Sequence, residues 1–104
     1  MRILSFLVNE QQLKKDPKCN FQNISKDTKG YLYAKFTFGK GWNGCLVAAS
    51  FWCLNKEYPV IVEKDGICVI PEKALTWSNF KVSLTGIKDG YRITTNKVIV
   101  EQGE

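Results

Sequence analysis

Cys19, Cys45, Cys53 and Cys68 are the residues of this chain whose type is best suited to chemistry. Cysteine thiolates bind zinc, act as nucleophiles and pair into disulfides. None of the four belongs to a C-x-x-C pair, and the sequence contains no histidine. Structural zinc sites show paired close spacings, so these scattered positions predict no metal. Two disulfides are arithmetically possible. The N-terminal run "ILSFLV" after Arg2 stops at Asn9-Glu10 and is too short for an export signal. The expected compartment is therefore the cytoplasm of the producing cell, where thiols stay reduced. Four free thiols in apolar surroundings are the expectation.

Other routes to catalysis close in the same way. Without histidine, neither a Ser–His–Asp triad nor a Cys–His pair can be assembled. "GKGWNG", residues 39–44, is glycine-rich, but it follows a strand pattern and opens no helix, so it reads as a turn rather than a phosphate loop. Glu63 and Asp65 sit beside a turn with no apolar pocket implied to tune them. The sequence predicts no enzyme, no catalytic residue and no cofactor.

Binding is the chemistry that is left. Tyr31 and Tyr33 share one face of a strand pattern with Lys35 next along. Aromatics interleaved with basic residues can stack nucleobases. The same set suits a protein interface, or simple cross-strand packing on a half-covered sheet. Trp42, Trp52 and Trp77 read as core or rim packing, because a ligand cage requires convergence that spacing does not show. The net charge of +5 is uneven: residues 1–40 hold eight Lys/Arg and three Asp/Glu, and residues 41–104 hold seven of each. Lys14, Lys15, Lys18, Lys26 and Lys29 lie in one long segment. They could face nucleic acid or an acidic protein, although dispersed lysines also make an ordinary solvated face.

The elements that must position these residues are strands. At 104 residues, 44% hydrophobic and 24% charged, the chain is one globular domain over residues 1–104. No apolar run is long enough to span a membrane. Ile3 to Asn9 reads as a strand, and residues 10–30 as a long basic loop pinned by Leu13, Cys19, Phe21 and Ile24. In "YLYAKFTF", Leu32, Ala34, Phe36 and Phe38 share the buried face. "CLVAASFWCL" is the most apolar strand candidate, and Pro59 marks "EYPVIVE" as an edge or a bulge. Asp65-Gly66 turns the chain into "ICVI". Pro71 then suits the first position of one helical turn, "PEKAL", with Glu72 at its N-terminus and Leu75 aimed at the core. Such a turn carries a chain from one sheet to another. The final "KDGYRITT" and "NKVIVEQG" read as two more β-rich runs after a turn at Asp89-Gly90, either separate strands or one strand continued across a bend at Asn96. Six to eight short strands with one short helical turn predict an all-β, antiparallel β-sandwich.

The segments "YLYAKFTFGKGWNG", "CLVAASFW", "EYPVIVEKDGICVIPEKAL" and "FKVSLTGIKDGYRITTNKVIVEQG" resemble a β-sandwich module of phage and prophage virion proteins of Gram-positive bacteria, the type that anchors head fibres and baseplates. The resemblance spans most of residues 31–103. It implies a small structural or virion-associated protein that works by protein–protein binding, alone or as a homo-oligomer, in the host cytoplasm or on the virion. Two alternatives stay open: an accessory protein that inhibits a host defence system by stoichiometric binding, and a nucleic-acid-binding module. The contact residues expected are Tyr31, Tyr33 and Lys35, with the basic loop as the second candidate.

Overall fold

Successive side chains of a strand point to opposite faces, and from Leu4 to Val8 every second residue is buried. The same alternation recurs along the chain. The computed structural model describes residues 1–103. Its strands are β1 (Arg2–Asn9), β2 (Gln12–Lys15), β3 (Leu32–Phe38), β4 (Leu46–Cys53), β5 (Lys56–Ile61), β6 (Ile67–Val69), β7 (Asn79–Lys88), β8 (Tyr91–Thr94) and β9 (Val98–Glu101). One 3-10 turn, Glu72–Leu75, lies between β6 and β7.

Two sheets form a β-sandwich. The first has the order β2-β1-β3-β6, and the second β5-β4-β7-β8, with β9 also paired to β7. Leu4, Phe6, Ala34 and Phe36 from the first sheet share one core with Ala49, Phe51, Phe80, Val82 and Leu84 from the second. Phe6 stacks on Phe36 with ring centroids 5.4 Å apart. The expected all-β sandwich is the fold observed.

Two details depart from expectation. Nine strands are found among the described residues, and one of them lies inside the segment read as a loop. Gln12–Lys15 has a single apolar residue, Leu13, so no alternation is visible in its sequence. It is a strand because a two-residue turn at Glu10-Gln11 folds it back on β1, pairing Phe6 with Lys15 and Asn9 with Gln12. Glu10 takes a φ of 53° to make that turn. The second departure is that β1 and β3 run parallel, from Arg2 opposite Leu32 to Val8 opposite Phe38. Parallel neighbours need a long crossover, and the segment from Asp16 to Tyr31 provides it.

That crossover is tied down throughout. The Arg2 guanidinium donates to the carbonyls of Asn20, Gln22 and Asn23 at 3.0, 2.6 and 3.0 Å. Phe21 sets its ring edge-on to Phe6 at 5.4 Å, and Ile24 is buried. The Ser5 N–H donates to the Cys19 sulfur at 3.3 Å.

The helical turn carries the chain from β6 in the first sheet to β7 in the second. Pro71 stands one place earlier than expected, as an extended residue with φ −62° and ψ 139° just before the turn. Its carbonyl accepts from the Ala74 N–H at 3.0 Å, and Ala74 and Leu75 are buried. Pro59 lies in β5, an edge strand, where a missing N–H costs no ladder bond.

The chain bends at Asn96 between β8 and β9, two strands that both pair with β7. Thr94 pairs with Thr85 and Val98 with Val82, so three residues, 95–97, oppose two, 83 and 84. This is a β-bulge. The Thr95 hydroxyl accepts from the Leu84 N–H at 3.0 Å and holds the distortion in place. One extra residue sends Asn96 toward β2 and Lys97 over Trp52.

Candidate functional site

The outward face of the first sheet is built by register. Tyr33 in β3 lies opposite Ile3 in β1 and Val69 in β6. Lys35 lies between Ser5 and Ile67 in the next outward row. Lys14, Leu7 and Thr37 form the row beyond it. Tyr33 is half-buried among its apolar neighbours, Lys35 is exposed, and Tyr31, just ahead of β3, is exposed. The three expected contact residues thus lie on or beside one outward face. With Ile3 and Val69, Tyr33 makes one apolar row; the next two rows mix Ile67 and Leu7 with Ser5, Lys35, Lys14 and Thr37.

The basic segment is not gathered in the same way. Lys14 projects outward opposite Leu7, whereas Lys15 lies over the Phe21 ring at 5.2 Å. Lys29 approaches Glu72 at 3.9 Å beside the helical turn. Lys18 is exposed near Asp16, whose carboxylate accepts from the Lys18 backbone N–H at 2.9 Å. Lys26 is half-buried, and its backbone N–H donates to the Gly103 carbonyl at 2.9 Å. These lysines are spread along the crossover.

The outward face of the second sheet carries apolar residues that the sequence reading did not single out. Leu46 pairs with Ile87, and Ala48 pairs with Ile61. Leu46, Ile61 and Ile87 are all about half exposed. The signal for the Leu46 end of this face was present in "CLVAASFWCL". A strand that reads apolar at nearly every position has two apolar faces, a pattern found where both faces are covered. Here only one face meets the core.

The tryptophans separate. Trp42 is buried and its indole N–H donates to the Glu10 carbonyl at 2.8 Å. Its ring lies against Gly86, where a Cβ would come within 2.8 Å of it. Trp52 and Trp77 are brought to one cleft at the end of the second sheet. Spacing could not show this, because the strand register and the bulge create it.

All four cysteines are free thiols. Cys53 and Cys68 are buried, and Cys19 and Cys45 are half-buried. Burial pushes the Cys68 thiol up to about 12. Among the described residues, no three His, Cys, Asp or Glu side chains are grouped to hold a metal ion. No helix among them is long and apolar enough to cross a membrane. Comparison with protein-family models, with curated proteins and with solved structures finds no match.

Proposed function

We propose that this chain is a non-enzymatic binding module that acts through protein–protein contact. The observation that carries this reading is the apolar row Ile3–Tyr33–Val69, in register across three strands on an outward face. A sheet face is a preorganised surface, so aromatic side chains on it lose little entropy on binding. The second sheet adds the Leu46–Ile87 and Ala48–Ile61 pairs. Two such faces suit a protein held between neighbours in an assembly. The resemblance over residues 31–103 supports a phage virion protein as the partner and a role in or on the particle. A host defence protein, bound stoichiometrically, is the second candidate partner.

The test is Tyr33→Ala, with folding checked by thermal melting. A central tyrosine of a contact costs about 2 kcal/mol or more on truncation. The variant should melt like the parent yet lose mass in light scattering, or lose affinity for the partner found by mass spectrometry of whole particles. Parental mass and parental affinity together would remove this face from consideration.

A further inference from the structure

Trp52 and Trp77 line a cleft of about 250 Å³ together with Asn55, Asn79, Lys81 and Lys97. Each is held there by a separate device. The Trp52 indole N–H donates to the Ser83 hydroxyl at 2.9 Å, which fixes the ring on the outward face. Trp77 is about half exposed. Its backbone is held by the buried Gln102, which donates from its side-chain amide to the Trp77 carbonyl at 2.9 Å and from its backbone N–H to the Ser78 carbonyl at 2.7 Å. The bulge at residues 95–97 delivers Lys97, whose ammonium lies 3.7 Å from the Trp52 ring centroid. Lys81 lies directly opposite Trp52 in the β4–β7 register.

The chemistry of this set is specific. Two indoles offer flat π surfaces, and two ammoniums offer positive charge. No carboxylate lines the cleft itself; Glu57 and Glu101 flank it, opposite Trp52 and Asn79 in register, and Glu57 is engaged by the Ser50 hydroxyl. Neither Lys81 nor Lys97 has a carboxylate partner among the described residues. A neutral sugar would use the rings but would leave both ammoniums without a counter-charge. An acidic peptide would use the ammoniums but would leave the indoles uncovered. A nucleotide unit uses both at once, because each base has a π face beside a phosphate. An ammonium resting on an aromatic face is weakly held when exposed, so a phosphate can draw Lys97 aside and open the Trp52 face.

We propose that this cleft binds single-stranded nucleic acid, with one base stacked on the indoles and the flanking phosphates met by Lys81 and Lys97. The site is on the second sheet and is independent of the Tyr33 face.

The experiment titrates an eight-residue oligothymidine into the protein at about 50 mM salt and follows tryptophan fluorescence. Trp52 and Trp77 report, since Trp42 is buried. Saturable quenching is expected, weakening as salt rises with a slope of about −0.7 per phosphate contact. Trp77→Ala should weaken binding roughly fivefold to a hundredfold, the range that loss of one base–aromatic stack carries. Lys97→Gln should weaken it and reduce the salt slope. Tyr33→Ala should leave it unchanged, which separates this site from the protein-contact face. Several results would each overturn the proposal: no quenching at that salt, parental affinity in either cleft variant, or a loss confined to Tyr33→Ala. So would stronger quenching by a neutral oligosaccharide or an octaglutamate than by the oligothymidine.

Discussion

The Asn96 side chain occupies the place of a missing strand beside Leu13. Its amide oxygen accepts from the Leu13 N–H at 2.7 Å, and its amide nitrogen donates to the Leu13 carbonyl at 3.0 Å. Leu13 belongs to β2 at the edge of the first sheet, and Asn96 to the bulge of the second. One side chain thus satisfies two backbone groups and closes the seam between the sheets.

Asn96→Asp tests that closure with almost no change of shape. The carboxylate still accepts from the Leu13 N–H, but it faces the Leu13 carbonyl with a second acceptor. Asn96 is exposed and its bonds to Leu13 are part-buried, so a loss of about 1 kcal/mol at neutral pH is expected, the ordinary net worth of one hydrogen bond. Acid should restore part of it, because a protonated carboxyl donates again. Urea unfolding of variant and parent at pH 7 and pH 4 checks this: the gap between them should narrow at the lower pH.

Gly86→Ala should destabilise the protein although alanine is ordinarily the better strand residue. The added methyl meets the Trp42 ring at 2.8 and 2.9 Å. Trp42 cannot swing away without losing its bond to the Glu10 carbonyl. Overpacking of this kind costs about 1–3 kcal/mol. Thermal melting in a Trp42→Phe background should show a smaller effect of the same substitution, because the two positions are in contact.

Cys68 gives the molecule an alkaline limit. Its thiol ordinarily ionises near 9.0 and is pushed to about 12 by burial. Between these values the folded chain holds a proton that the unfolded chain releases. Rising pH therefore favours unfolding: the contribution is intact below pH 9 and lost progressively above it, at about 1.4 kcal/mol per pH unit. Cys68→Ala should be less stable than the parent at pH 8. The gap should close at about that rate as denaturation is repeated from pH 9 to pH 11.

Much of this architecture is written locally. The alternation in "LYAKFTF", the proline-marked edge at Pro59, the sheet-to-sheet turn after Pro71 and the bend at Asn96 are each visible in a few adjacent residues. What was not legible is relational. Gln12–Lys15 is a strand because of its neighbour β1, with only Leu13 to signal it. The parallel pairing of β1 with β3 depends on how residues 16–31 travel. Tyr31, Tyr33 and Lys35 could be placed on one face from spacing alone. The meeting of Trp52, Trp77 and Lys97 could not, since it follows from two strand registers and one extra residue between them.

The parallel alignment of β1 with β3 also sets the tempo of assembly. Until β3 has been made, β1 can form only a marginal hairpin with β2. Its second partner arrives after the whole crossover has been made, and β6, the far edge of that sheet, only at residues 67–69. Long-range and parallel pairings are slow because the chain must close wide loops before it gains contacts. Folding in the millisecond-to-second range follows. Nascent chains shorter than about residue 70 would then carry an incomplete first sheet with the open edge of β3 exposed to other copies.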